Sequence, residues 1–364
     1  MKKYKKVIHI IASLGNGGAE RQLLELLKLN PSHQLLILKN ADIYKKELEK
    51  YKINYTELNI DTKLKVFFSI HKISRLIASS NSFIVHAWMY NACLLVSLIK
   101  IFFNMKLKIV WGIRCSNMQL KYYSWTLKFI LFLCKLISFL ANSIIYNSNA
   151  GQKYHTSLGF SNKFSKVIFN GIDEKKFFFS NIIRKKLRKA LGIKSNSIVI
   201  VFAGRVDPMK NHINLLNAFK IIKKQNKKII LLLIGKGTET LKVPKGVISL
   251  GMQVNIEKYY SVGDIIVLPS KFGEGFSNVL AEGMLCKLFP VATNVGDSKD
   301  ILSDIGLIIR DSSSKEIAKC LIDALDLKKQ DLLKLKERSR ERIKREFSIK
   351  KMSYLYNNTY RKLL

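Results

Sequence analysis

Residues 272–284 read FGEGFSNVLAEGM, and the way this stretch is bounded decides the fold. Before it, Ile265–Leu268 is a short apolar run closed by Pro269, which predicts a buried strand. Within it, Gly273 and Gly275 give a flexible turn. Ser277 or Asn278 can then cap a helix whose apolar face starts at Val279 and Leu280. A strand, a glycine turn and a helix start make an anion site, because the first backbone N–H groups and the positive end of the helix dipole point outward. Glu274 and Glu282 flank that site, eight positions apart. Carboxylates repel phosphate, so beside an anion site they serve as acceptors for hydroxyls. A ligand with both phosphates and many hydroxyls is a nucleotide sugar.

The same alternation runs through the rest of the chain. Strands are predicted at 7–13, 34–38, 83–87, 108–112 and 143–146, with a glycine turn at 14–18 and a helix at 19–29 that lines up Leu23, Leu24 and Leu27. After a polar, basic stretch at 173–190 a second series follows at 198–202, 229–234, 247–251 and 265–268. Strands alternating with helices predict an α/β chain with parallel sheets. The boundary between the two series falls near 170–173, and a charged helix at 328–345 closes the second.

Length and composition bound the function. A chain of 364 residues, 48% apolar, suits two domains with separate cores and excludes disorder. Net charge is +37, and no acidic residue occurs between Asp61 and Asp173. That excess calls for nucleic acid, an anionic membrane or anionic small molecules as partner. Long apolar runs lie between the lysines, a mixture that fits an anionic membrane surface better than nucleic acid, whose binders carry basic clusters on a polar face. The five cysteines have no C-x-x-C spacing and read as reduced thiols of a cytoplasmic protein, with no metal site.

Two segments imitate membrane signals. The opening MKKYKK with the apolar run at 7–14 resembles a signal peptide, but that run is short, contains His9 and leads into a glycine loop, so it reads as a first strand. The run at 125–141 is interrupted by Lys128 and Lys135. With Lys121 these are spaced by seven and predict one basic stripe along a helix, which suits either a helix lying at a membrane surface or a core helix whose lysines reach solvent.

Five motifs in order, the E-x7-E of Glu274 and Glu282, AGRVDPMKNH at 203–212, YNSNAGQKYHTSLGF at 146–160, VIFNGID at 167–173 and GNGGAER at 15–21, resemble glycosyltransferase family 4. These are retaining, GT-B-fold group 1 enzymes of capsule, O-antigen and lipopolysaccharide assembly. The resemblance implies two Rossmann-like domains facing each other across a donor/acceptor cleft. Residues 1–170 would form the acceptor side, 171–347 the nucleotide-sugar side, and 348–364 a helix crossing back to the first domain. Asn170 and Gly171 would be hinge residues, and Gly235 and Gly237 would form a turn beside the nucleotide.

The same resemblance gives the site. Gly204, Arg205 and Lys210 match its G-R-x-x-x-x-K-N pattern, and two fixed cations there can hold the charge that a leaving diphosphate gains. No D-x-D triplet occurs, so the reading is metal-independent with no cofactor. Glu282 would accept the ribose hydroxyls. Glu274, with Gly275, Phe276, Ser277, Asn278 and Val279, would meet donor sugar and diphosphate. Gly15, Gly17 and Gly18 would let backbone approach the donor closely. His86, placed at the carboxyl end of its strand, would contact the donor sugar near the reacting carbon, and Arg114 would contact either the acceptor or a phosphate.

The expected activity is retaining transfer of a hexose or N-acetylhexosamine from a nucleoside diphosphate donor, UDP in the first place, to a glycan or polyprenyl-diphosphate-linked acceptor. The expected location is the inner face of the cytoplasmic membrane, with no nucleic acid bound. Two rivals stand beside it: a GT-B-fold UDP-sugar epimerase, and a basic nucleic-acid-binding protein.

Overall fold

The structure is a computed structural model and describes residues 7–15, 17–60, 63–80 and 82–364. The opening lysines and Asn16 of the glycine turn lie outside the described residues. The chain forms two compact units. One takes in the described residues up to Ser116, with Leu120–Gly171 and Ile349–Leu364; the other is Asn117–Gln119 with Ile172–Ser348.

In the first unit, chain order is β1 Val7–Ile11, α1 Gly18–Lys28, β2 Gln34–Ile37, α2 Lys45–Lys50, β3 Asn54–Glu57, α3 Lys63–Ser79, β4 Ile84–Trp88, α4 Met89–Phe102 and β5 Lys108–Ile113. It continues with α5 Trp125–Ile137, β6 Ser143–Tyr146, α6 Asn149–Ser157 and β7 Ser165–Val167. The sheet has the order β3-β2-β1-β4-β5-β6-β7, and every pairing is parallel. Both faces are covered, so β1 and β4 are buried along their whole length and read as apolar runs, each interrupted by one histidine, His9 and His86.

The second unit holds α7 Asn181–Ala190, β8 Ile198–Ala203, α8 His212–Gln225, β9 Ile229–Ile234, β10 Val247–Ser249, α9 Ile256–Tyr260 and β11 Ile265–Leu268. After these come α10 Asn278–Leu285, β12 Phe289–Thr293, α11 Ser298–Leu302, β13 Leu307–Ile309, α12 Ser314–Leu325 and α13 Lys329–Glu346. Its sheet, also parallel, has the order β10-β9-β8-β11-β12-β13. Each unit is therefore a Rossmann-like α/β layer structure, as the alternation predicts.

The last helix, α14 Ile349–Leu363, belongs to the first unit. Met352, Tyr356 and Tyr360 join the core built on β1 and β4, alongside Trp88 and Val110. The Gln22 side-chain amide of α1 donates to the Gly171 carbonyl at 3.0 Å and accepts from its N–H at 2.8 Å. A Cβ on Gly171 would lie 2.5 Å from the Ile349 Cα, so only glycine lets α14 start there.

Four strands escape the sequence reading. β3 is a half-exposed edge, β7 and β13 are three residues each, and β12 contains Pro290 in an inner strand, where a missing N–H argues against pairing. The basic stripe at 121, 128 and 135 is corrected: Lys121 sits in a separate single turn, Leu120–Tyr122, and α5 begins at Trp125. Among the described residues no helix is long and apolar enough to cross a membrane.

Candidate active site

In the second unit β8 pairs with both β9 and β11, so the winding direction reverses between β8 and β11. Loops leaving neighbouring strands at such a point diverge and leave a crevice at the carboxyl edge, where open α/β sheets bind ligands. The loop after β8 holds Gly204, Arg205 and Lys210; the loop after β11 runs from Pro269 to Ser277. Lys210 Nζ lies 2.6 Å from Glu274 Oε1, and the Ser270 hydroxyl donates to the same oxygen at 2.6 Å. Asn211, in the left-handed region at φ 60°, donates from its amide to the Pro269 carbonyl at 2.9 Å and to that of Ser312 at 2.8 Å. The lysine of the motif thus faces the site, while its asparagine ties the loops together.

Arg205 is the more exposed cation of the two. Its side chain is 59% exposed and donates to Asp207 Oδ2 at 3.0 Å, while Asp207 Oδ1 caps the following turn by accepting from the Met209 N–H. The guanidinium end of this pair faces solvent, so an incoming anion can reach it. Gly204 donates its N–H to the Ile234 carbonyl, which seats this loop on β9.

Ser277 caps α10, its hydroxyl accepting from the Leu280 N–H at 3.4 Å. Gly275 and Asn278 are buried at the helix start and Val279 is half-buried. Phe276 serves the core, its ring edge-on to Phe347 at 5.1 Å. Glu282 is 1% exposed, with Oε2 accepting from the Tyr260 hydroxyl at 2.9 Å. A buried carboxylate needs such donors, and Tyr260 fixes its direction. Gly296, at φ +62°, lets the following loop sit on the carbonyls of Glu274 and Gly275. Asp207, Asn211, Tyr260, Ser270 and Gly296 are the site residues that sequence reasoning missed. Asp207, Tyr260 and Ser270 hold the side chains of Arg205, Glu282 and Glu274, while Asn211 and Gly296 hold loop backbone; Tyr260, Ser270 and Gly296 lie outside the motifs that name the site, and local spacing does not announce them.

The first unit repeats the geometry, with its reversal between β1 and β4. Gly17 caps α1 from an extended backbone, and a Cβ on Gly15 would meet nothing within 4 Å. Gly18 is the first helical residue. A Cβ on Gly17 would lie 2.9 Å from Glu20 Oε1, so the glycine leaves room for that carboxylate at the helix start. Its glycines supply absence of bulk, since neither Gly15, Gly17 nor Gly18 has positive φ.

His86 corrects the sequence expectation. It lies in mid-strand in β4, fully buried, with Nδ1 2.7 Å from the Tyr360 hydroxyl. Its Nε2, without a hydrogen-bond partner, faces Gly112, where a Cβ would lie 2.7 Å away. The strand continues past the histidine because its backbone pairs with β1 and β5 as far as Trp88, and α14 supplies the side-chain partner that sequence spacing does not announce. Beside it, Trp88 Nε1 donates to His9 Nδ1 at 3.1 Å, and a tryptophan nitrogen can only donate. His9 therefore carries its proton on Nε2 and donates it to His33 Nδ1 at 2.9 Å. Burial holds His9 and His86 well below the usual imidazole range, with further lowering of His9 by His33 and His86 and of His86 by Arg114 and His33. Burial pushes His33 down to about 4. Arg114 is buried too, donating to the Tyr356 hydroxyl and to Asn170 Oδ1, each at 2.5 Å, with its guanidinium 5.1 Å from the Trp88 ring. His86 and Arg114 thus hold α14 and the segment ending at Gly171 to the sheet.

No group of three or more histidine, cysteine or acidic side chains suited to a metal occurs among the described residues. Residues 183–344, most of the second unit, match the family profile described as glycosyl transferases group 1. Over 308 residues the chain is 27% identical to N-acetylgalactosamine-N,N'-diacetylbacillosaminyl-diphospho-undecaprenol 4-alpha-N-acetylgalactosaminyltransferase of Campylobacter jejuni, covering 78% of this chain and 79% of that one. It is 26% identical to the capsular polysaccharide biosynthesis glycosyltransferase CapH of Staphylococcus aureus, covering 85% of each. Its fold is similar to that of Anabaena HepE, solved with UDP and glucose, at TM-score 0.84 and 20% identity, over 98% of this chain and 99% of that one. The chain is a transferase with the α/β architecture of GT-B glycosyltransferases. Its second unit carries the group 1 glycosyltransferase domain, at 183–344.

Proposed function

We propose that the chain is a family 4 enzyme that transfers a hexose or N-acetylhexosamine, with retention at the anomeric carbon, from a UDP-linked donor to a glycan or polyprenyl-diphosphate-linked acceptor in bacterial surface polysaccharide assembly. The observation that carries this reading is the Lys210–Glu274 pair at the reversal point of the second sheet, with Arg205 exposed in the same loop as Lys210. As the glycosidic bond breaks, the leaving diphosphate gains negative charge. Arg205 offers it a two-pronged donor and Lys210 a point charge, while the α10 start adds backbone N–H groups. With these two cations in place the reaction runs without a metal. Glu282, aimed by Tyr260, takes the ribose hydroxyls, and Glu274, held by Lys210 and Ser270, takes hydroxyls of the donor sugar.

The activities of the relatives support the acceptor class: one acts on a diphospho-undecaprenol substrate and another serves capsular polysaccharide biosynthesis. UDP in the solved HepE complex supports the donor base. The cysteines are all free and buried, which supports a reducing compartment and the cytoplasmic side of the membrane.

Protection against thermal unfolding by UDP, GDP and UDP-sugars, in EDTA and then with Mg²⁺, tests the reading. Ligand at about 100 times its dissociation constant adds roughly 2.7 kcal/mol. Protection by UDP in EDTA, lost in Arg205→Ala and Glu282→Ala, is expected, and the anomeric configuration of the product gives the stereochemistry. No shift with any nucleotide, together with salt-sensitive DNA binding, would replace the transferase reading with the nucleic-acid one.

A further inference from the structure

Helix α5 places its large apolar side chains on the side that a sheet-covering helix normally leaves to polar groups. Leu131 and Cys134 face inward and are buried. Trp125, Phe129, Phe132 and Leu136 face outward, from 51% to 71% exposed. At 3.6 residues per turn these four fall within an arc of roughly 60°. Phe139, 70% exposed in the turn after the helix, continues the stripe. A contiguous aromatic stripe of this kind marks an interaction surface.

Charge decides the class of partner. Lys128 and Lys135 border the stripe along one side, both exposed, and Lys121 lies exposed just before it. Around them the sequence between Asp61 and Asp173 holds no carboxylate. Aromatic rings flanked by lysines, with no acid to repel phosphate, complement a surface that is apolar below and anionic above. An anionic bilayer has that layering. The helix is too short and too interrupted to span it, so it lies along the surface.

We propose that the outer face of α5 docks the enzyme on an anionic lipid bilayer, its rings at the acyl boundary and Lys128 and Lys135 at the head-group phosphates. The purpose of this docking rests on the lipid-linked acceptor proposed above, whereas the binding itself does not.

The chain carries its own probe. It has three tryptophans, of which Trp88 and Trp111 are fully buried and Trp125 is exposed. The full chain is mixed with vesicles of phosphatidylcholine alone, or of phosphatidylcholine with an equal part of phosphatidylglycerol, and followed by flotation and tryptophan emission. Flotation with the anionic vesicles only, weakened by salt and accompanied by a blue shift, is expected. Phe129→Ser with Phe132→Ser, and separately Lys128→Glu with Lys135→Glu, should each lose at least about tenfold in vesicle affinity with an unchanged melting temperature. Equal binding to both vesicles, or binding that leaves the emission unmoved, would overturn the proposal. Self-association in lipid-free solution that the phenylalanine variants abolish would also overturn it, and make the stripe a contact between copies. UDP protection measured on the same proteins keeps a failure of docking distinct from a failure of the transferase reading.

Discussion

Lys210 and Glu274 stand 64 positions apart in sequence, and the pair they form, at 2.6 Å, joins the loops that leave β8 and β11 at the point where the second sheet reverses direction. The lysine side chain is 14% exposed and the glutamate side chain 8%, so this is a buried pair. Removing one member of such a pair leaves the other as an uncompensated charge. Lys210→Met should therefore cost about 3 kcal/mol of stability and lower turnover by roughly 10²–10³, the usual consequence of losing one donor to developing charge. Lys210→Met combined with Glu274→Gln should recover most of the stability and none of the activity. Urea unfolding and transfer rates on the two proteins check this.

Tyr260→Phe tests the support of Glu282. The substitution keeps the ring, which is fully buried, and deletes the hydroxyl that donates to Oε2. A buried carboxylate deprived of one donor costs about 1–3 kcal/mol. The expected result is a lower melting temperature and weaker UDP protection, with Glu282→Gln reducing UDP protection further. An unchanged melting temperature would show that the hydroxyl contributes nothing to Glu282.

Gly296→Ala places a side chain at φ +62° against the carbonyls of Glu274 and Gly275, 2.6 Å from the latter. Backbone strain of this kind costs about 1–3 kcal/mol. Because the loop that must yield carries Glu274, UDP affinity should fall by more than global stability does. Titration calorimetry set beside thermal melts distinguishes the two effects.

Acid should destabilise the first unit through its buried histidines. His9, His33 and His86 have folded pKa values below that of the unfolded chain. The unfolded state therefore binds protons first as pH drops below about 6.5. Stability present above that pH is lost on the way down, and His33 alone, moved to about 4, accounts for about 3 kcal/mol. His33→Gln should flatten the slope of stability between pH 6.5 and about 4, as measured by denaturant melts across that window.

Much of the fold was legible because parallel strands buried on both faces are unbroken apolar runs, as in β8, β9 and β11. The edge strands were not, since half-exposed NYTE in β3 carries no apolar run at all. Of the site, Arg205, Lys210, Glu274 and Glu282 were named from short motifs, and the fold sets Lys210 beside Glu274. His86 went the other way. A histidine in a strand looks functional until a partner is seen, and its partner Tyr360 lies 274 positions later on α14.

Sequence alone determined the two α/β series, the glycine turn and serine or asparagine cap before α10, and the placement of cations after β8, because strand burial, turn conformation and capping are set by neighbours within a few residues. Tertiary structure alone decided that the last helix completes the first unit, that Asn211, Tyr260 and Ser270 hold the donor side chains in place, and that the aromatic face of α5 points outward. Each of these depends on which distant element covers a given face, and hydrophobic periodicity says only that some face is apolar, never what lies against it.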